Sequence, residues 1–407
     1  MPGLDHAALA DALCDIVAQA LAEAPRFDPP PNIDLAVAAF PPGRPPVFAN
    51  VLFSRDWPRG LVASLPDDAG AVRNLAYFAD PTDAQRTSIA WAPGADWTIL
   101  NGLRQLAGPG PHQFIAPYPA SLIKLMVAVG TGLLVDRGRA AWDEPWAHGS
   151  ETRPVAAWAD PMLTLSDNTA TRALVALLHA RGLIERSGPP DRDGAVPERN
   201  RLHAAFARVG LDTLRLANTR PDGGWLNSDG AGVGWLQMTA WDSLRLLWLL
   251  RPELPAPWLA PDSGPLLQPA TAARLWGWLD EQALHEVLSS VLRAGQPGWM
   301  PGIPARLPAR WLGPDGRARI DGLEPGADLR PAQAAAQVHF AHKTGTTASY
   351  ASDAGWVESL APGGRRYLVA LLSTLGSRHA PGPALAVPPC LARIGAGVDG
   401  WLAQRLG

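Results

Sequence analysis

Residues 114–135 read FIAPYPASLIKLMVAVGTGLLV, and the chain changes character within them. Upstream lie short apolar runs separated by turn residues. From Ser121 onward Leu122, Met126, Val129 and Leu133 recur at helical spacing and share one face. The helix opens with Ser121-Leu122-Ile123-Lys124, which sets a hydroxyl and an amine one turn apart on the same side. A serine hydroxyl is a poor nucleophile until a neighbouring base takes its proton, and a lysine can be that base when it is held neutral.

A Ser-x-x-Lys pair alone is weak evidence, because any solvated helix can carry one. Its company is stronger. Ser166-Asp167-Asn168 and Lys343-Thr344-Gly345 follow in that order, and of the 35 Lys and Arg residues only Lys124 and Lys343 are lysine. A guanidinium is always charged and accepts no proton, whereas an ammonium can lose one when it is desolvated or set beside another cation. A chain that uses arginine at every other basic position thus keeps lysine at the two places where a titratable amine matters.

Ser166-Asp167-Asn168 stands between Leu165 and the helical run from Thr169, at a turn or helix start where Ser166 or Asp167 can cap the helix. There Ser166 can relay a proton to a leaving group, and the Asn168 amide can bind a substrate carbonyl or amide. Lys343-Thr344-Gly345 ends an apolar run and precedes Thr346 and Thr347, as suits an inner strand bordering a cleft. Gly345 lets a substrate lie against the backbone, and Lys343 adds positive potential to hold Lys124 neutral and attract a carboxylate. Thr344 and Thr346 join Gly345 as substrate-binding candidates, and the backbone N–H groups of Ser121 and Thr346 are the candidate oxyanion hole.

Taken together, the motifs resemble the signature set of class A β-lactamases and the related penicillin-binding proteins, from about Tyr118 to the C-terminus. Residues 114–126 are similar to that family's run into its nucleophile helix, and Asp353-Ala354-Gly355-Trp356-Val357 to the strand after its Lys-Thr-Gly turn. Trp225-Leu226-Asn227, followed by Thr239 and Ala240, resembles the end of the omega loop and the next helix, which makes Asn227 a substrate-site candidate. The resemblance implies an α+β fold of the β-lactamase/transpeptidase kind: an antiparallel sheet flanked by helices, joined to an all-helical lobe with the cleft between them. It also implies an acyl-enzyme on Ser121. In the same register the family's hydrolytic glutamate falls on Gly223, which leaves Asp222 or Asp229 to replace it.

Net charge is −3 with no block of like charge, which excludes an electrostatic footprint for nucleic acid or an anionic membrane. A small-molecule acyl substrate (a β-lactam, peptide or ester) is the partner expected. Cys14 and Cys390 make no disulfide framework, and nothing has metal-ligand spacing, so neither metal nor cofactor is expected. Asp5, Asp11 and Asp15 punctuate the N-terminus where an export signal would be apolar, and no transmembrane run follows, which reads as cytoplasmic. The 17 tryptophans read as packing residues. His342 neighbours Lys343 on a strand, points to the other face and stays outside the site.

Residues 1–80 are expected to form an N-terminal extension, with a helix over 5–24, a proline-rich linker over 29–46, and strands at 47–53, 61–65 and 75–78. A further strand is expected at 88–91. Residues 81–407 are the expected catalytic domain, with insertions near 186–200 and 255–335, helices at 170–180 and 240–250, strands at 338–343, 354–357 and 367–373, and a closing helix over 387–405. The activity expected is a serine hydrolase cleaving an amide, β-lactam or ester bond. A transpeptidase- or carboxypeptidase-like acyl transferase, and a β-lactam-binding sensor or pseudoenzyme, stay open as alternatives.

Overall fold

The computed structural model describes residues 3–28, 30–79, 105–189, 196–225, 235–320, 323 and 327–407. The chain opens with α1 (His6–Ala22), N-capped by Asp5, whose carboxylate accepts the Ala8 N–H at 2.8 Å. Strands β1 (Ile33–Ala39), β2 (Val47–Phe53) and β3 (Leu61–Val62) follow, then a small sheet of β4 (Leu75–Ala79), β5 (Gln105–Ala107) and β6 (His112–Ala116). A 3-10 turn over Ala120–Ile123 leads into α2 (Lys124–Asp136), the hairpin β7 (Pro145–His148) and β8 (Glu151–Pro154), and helices α3 (Val155–Thr164) and α4 (Asn168–Ala180). Next come β9 (Ile184–Arg186) paired with β10 (Glu198–Asn200), α5 (Arg201–Arg208), β11 (Arg215–Leu216) paired with β12 (Leu236–Gln237), α6 (Ala240–Leu249), α7 (Pro269–Asp280) and the short α8 (Arg330–Ala334). The chain closes with β13 (Val338–Thr346), β14 (Ala351–Ser359), β15 (Arg366–Ser373) and α9 (Cys390–Leu406).

The main sheet is antiparallel throughout, in the order β13-β14-β15-β1-β2-β3. One face packs against α1 and α9: Leu9, Leu13 and Val17 meet Leu391, Ile394 and Val398 over Leu35, Val37 and Leu371. Each such buried side chain contributes about 1.5–3 kcal/mol. The other face, with Ala36, Leu52, Ala354 and Leu368, shares one core with α2 to α7. This is the expected α+β arrangement, an antiparallel sheet flanked by helices beside a mainly helical lobe.

Residues 1–80 are not a separate extension. Their β1 lies between β15 and β2, pairing Ile33 with Ser373 and Ala39 with Tyr367, so the first 80 residues supply half of the main sheet's strands and one of its helical covers. The expected proline-rich linker over 29–46 contains this strand. Every residue of β1 is buried, so, apart from the hydrogen-bonded Asp34, it reads as an apolar run, not an alternating one. Strand 61–65 is shorter than expected, and the strand expected at 88–91 lies outside the described residues. Within the insertion expected at 255–335, α7 packs against β13, while Leu292, Leu307, Trp311, Ile320 and Leu329 build a small core of their own. Among the described residues no helix is long and apolar enough to cross a membrane.

Candidate active site

Lys124 is the first residue of α2 and is 1% exposed, while Ser121 sits in the 3-10 turn just before it, half-buried. The Lys124 Nζ lies 2.8 Å from Ser121 Oγ, 2.7 Å from the Ser166 carbonyl oxygen, 3.0 Å from Ser166 Oγ and 2.8 Å from Asn168 Oδ1. The first two motifs are therefore joined at one nitrogen. Burial pushes the Lys124 amine down to about 7, against the opposing pull of Asp167. A neutral amine has two N–H donors and one lone pair. The Ser166 carbonyl and Asn168 Oδ1 can only accept, so they hold the two donors and turn the lone pair toward a hydroxyl.

The backbone is strained on both sides of this nitrogen. Ala120 has φ +51° and Ser166 has φ +61°, left-handed values unusual for residues other than glycine. Ser166 ends the turn out of α3: the Asp167 N–H returns to the Pro161 carbonyl at 3.0 Å, and the Asp167 carboxylate then caps α4 through the Ala170 N–H at 2.6 Å. The strain of about 1–2 kcal/mol at such a position persists where the geometry serves the site. Ser166→Gly is accordingly expected to raise stability in chemical denaturation by up to about 1 kcal/mol while slowing any reaction that uses the hydroxyl. A destabilised Gly variant would show that the left-handed turn carries no strain.

The third motif lies on β13, the edge strand. Lys343 and Gly345 face the nucleophile turn; a Cβ on Gly345 would come within 2.6 Å of both the Pro119 carbonyl oxygen and the Ser121 nitrogen. Glycine is required there so that strand and turn can touch. Ser352, opposite Gly345 on β14, ties the same turn down by donating to the Pro119 carbonyl at 2.6 Å. At the end of the hairpin the Thr347 N–H pairs with the Tyr350 carbonyl, and the alternation of an antiparallel ladder then turns the Thr346 N–H away from β14, to the open edge beside Ser121.

One expectation for this strand needs correction. Thr344 is buried on the opposite face, in register with Asp353, so its side chain does not reach the cleft; its carbonyl accepts the Lys343 Nζ at 2.7 Å. Burial is the first cause that lowers Lys124; Lys343 is fully buried and pushed well below the usual lysine range by that burial, then by repulsion from Lys124, with Asp353 pulling the other way, and that repulsion disfavours charging both amines. His342 faces away from the site, as expected, with Nδ1 2.7 Å from Asp353 Oδ1. Burial pushes the Asp353 carboxyl well up and the His342 imidazole well down, which favours a pair without net charge.

Gly223, where the resemblance placed a glutamate, has φ +86°, and a Cβ there would lie 2.0 Å from the Arg172 carbonyl oxygen in α4. Asp222 is exposed and committed to its own turn, accepting from the Gly224 N–H at 2.9 Å and from Arg220 at 3.2 Å. Asn227 and Asp229 lie outside the described residues. Ser352 was missed in the sequence; its place beside Asp353, opposite Gly345 in a hairpin, is the signal that could have found it.

No protein-family model matches the chain, and no curated protein matches it. Solved structures similar to it include PBP-A at 17% identity, covering 96% of this chain and 95% of that one with a TM-score of 0.45. A point mutant of PBP-A, as its acyl-enzyme complex with penicillin G, aligns at 16% identity over 98% of each chain with a TM-score of 0.48. A class A β-lactamase from Bacteroides cellulosilyticus aligns at 13% identity over 98% of each chain, with a TM-score of 0.47.

Proposed function

We propose that the protein is a serine acyl hydrolase of the β-lactamase and penicillin-binding-protein type, which forms an acyl-enzyme on Ser121 from an amide, β-lactam or ester. The observation that carries this reading is the buried Lys124 amine, 2.8 Å from Ser121 Oγ and brought down to about 7. Lys124 takes the Ser121 proton as the oxygen attacks the substrate carbonyl, and the Ser121 and Thr346 N–H groups receive the developing oxyanion. Ser166, within 3.0 Å of the same Nζ, passes a proton to the leaving nitrogen or oxygen as the acyl bond breaks. Asn168, Gly345 and Thr346 orient the substrate beside the buried Lys343, and Asn227 stays a substrate-site candidate from the sequence.

Water completes the cycle in a hydrolase. The lack of room for any side chain at Gly223 favours a second reading, in which the acyl-enzyme is long-lived and passes its acyl group to an amine, or keeps it. Asp222 is held in its turn, so it is a poor replacement base.

The reading is tested by turnover of a chromogenic cephalosporin and an activated ester with the wild type and Ser121→Ala. Loss of both reactions in the variant supports it, and undiminished turnover refutes it. A pH dependence follows as well. Lys124 acts as base only when neutral, so the acylation rate rises with pH, reaches half its maximum near about 7 and levels off above. Stopped-flow acylation between about pH 5 and 9 measures this, and a rate that falls across that window contradicts a neutral lysine base.

A further inference from the structure

The segment from Gln282 to Ser289 takes no part in the chemistry above, yet Gln282, His285 and Ser289 are all fully buried. It touches both walls of the cleft. On the helical side the Gln282 Nε2 donates to the Leu163 carbonyl at 2.6 Å and the Ala283 N–H to the Thr164 carbonyl at 2.9 Å. These carbonyls belong to the last turn of α3, which the helix cannot satisfy itself, and Ser166 follows two residues later. On the sheet side the Leu288 N–H donates to Asp353 Oδ2 at 3.0 Å, and the His285 ring packs edge-on against His342 with centroids 4.4 Å apart. His342 precedes Lys343 on β13, and Asp353 stands opposite Thr344, which follows it.

We propose that this segment is a strut that fixes the spacing between the Ser166 turn and the Lys343 strand, and that Gln282 is the positioning residue for Ser166. The proposal rests on the reading of Ser166 as the proton donor to the leaving group. Without the Gln282 amide, the Leu163 carbonyl has lost a buried donor and the turn that aims the Ser166 hydroxyl is free to shift. A displacement of about 1 Å at a reacting group can slow a reaction roughly 10²-fold.

Gln282→Met keeps the length and burial of the side chain and removes its donor. Two substrates separate positioning from general damage: a penicillin, whose nitrogen must be protonated as it leaves, and an activated aryl ester, whose phenolate leaves without a proton. In the variant, acylation by the penicillin is expected to fall by roughly 10- to 100-fold, while acylation by the ester changes by less than about threefold, as in Ser166→Ala. Hydrogen exchange at the amides of residues 164–168 is expected to speed up in the same protein. Unchanged exchange there overturns the strut, and an equal fall with both substrates overturns the positioning role. If the wild type acquires no Ser121 adduct from either substrate, the reading of the site fails and the positioning role with it; the exchange result then decides the strut by itself.

Discussion

Lys124→Arg is expected to slow acylation of Ser121 by about 10³-fold or more, although it keeps the positive charge, because general-base catalysis is worth roughly 10²–10⁴ and arginine cannot supply it. Burial brings the Lys124 amine to about 7, so a large fraction is neutral at physiological pH. A guanidinium stays protonated at any pH at which the protein is folded, and its planar fork cannot replace a single nitrogen with contacts to Ser121, Ser166 and Asn168. The larger charged group also enters a position that is 1% exposed, so folding must be checked separately. Lys124→Met does that: it fills a similar volume without charge, is expected to remain folded, and is expected to lose acylation to the same extent. Stopped-flow acylation and thermal melting of both variants check the result. Near-native acylation by either would remove Lys124 from the mechanism.

Gly345→Ala is expected to cost about 10²- to 10³-fold in acylation, the effect of losing one oxyanion donor. The new methyl would sit 2.6 Å from the Pro119 carbonyl oxygen, the Ser121 nitrogen and Ser352 Oγ. Two of the three are backbone atoms of the turn that presents the nucleophile, so the strand edge must move off that turn and take the Thr346 N–H with it. Lys124 and Ser121 lie within one short stretch of chain and keep their contact, so the pH at half-maximal rate should stay near about 7. That combination, a lower rate with an unmoved pH midpoint, distinguishes a displaced oxyanion site from a damaged base. Gly382→Ala, where a Cβ meets nothing within 4 Å, is the control and should change neither.

The candidate site was legible because its chemistry restricts residue type. Only two of the 35 basic residues are lysine, which singled out Lys124 and Lys343 as candidates, and the structure places Lys124 at the meeting point of Ser121, Ser166 and Asn168. The face of Thr344 was legible too, since strand alternation that turns His342 away from the cleft also turns Thr344 away. Other features leave no local trace. β1 is paired with residues more than 300 positions away and buried on both faces, so its run lacks the alternation that would have identified it. The left-handed backbone at Ala120 and Ser166 falls on residues that do not advertise it. Gln282 carries no motif, and its contact with Leu163 exists only once α3 has an end to be capped. Gly223 reads as a missing glutamate in the sequence; in the fold it is a glycine that the Arg172 carbonyl demands.

Intact-protein mass spectrometry over time, after mixing with a penicillin and separately with an activated ester, tests the central claim most directly when Ser121→Ala is run alongside. The wild type is expected to gain the mass of one acyl group and Ser121→Ala none; the closed contact at Gly223 predicts that the penicillin adduct decays slowly. An adduct that also forms on Ser121→Ala, or no adduct and no turnover with either reagent, would contradict the assignment of Ser121 as the nucleophile.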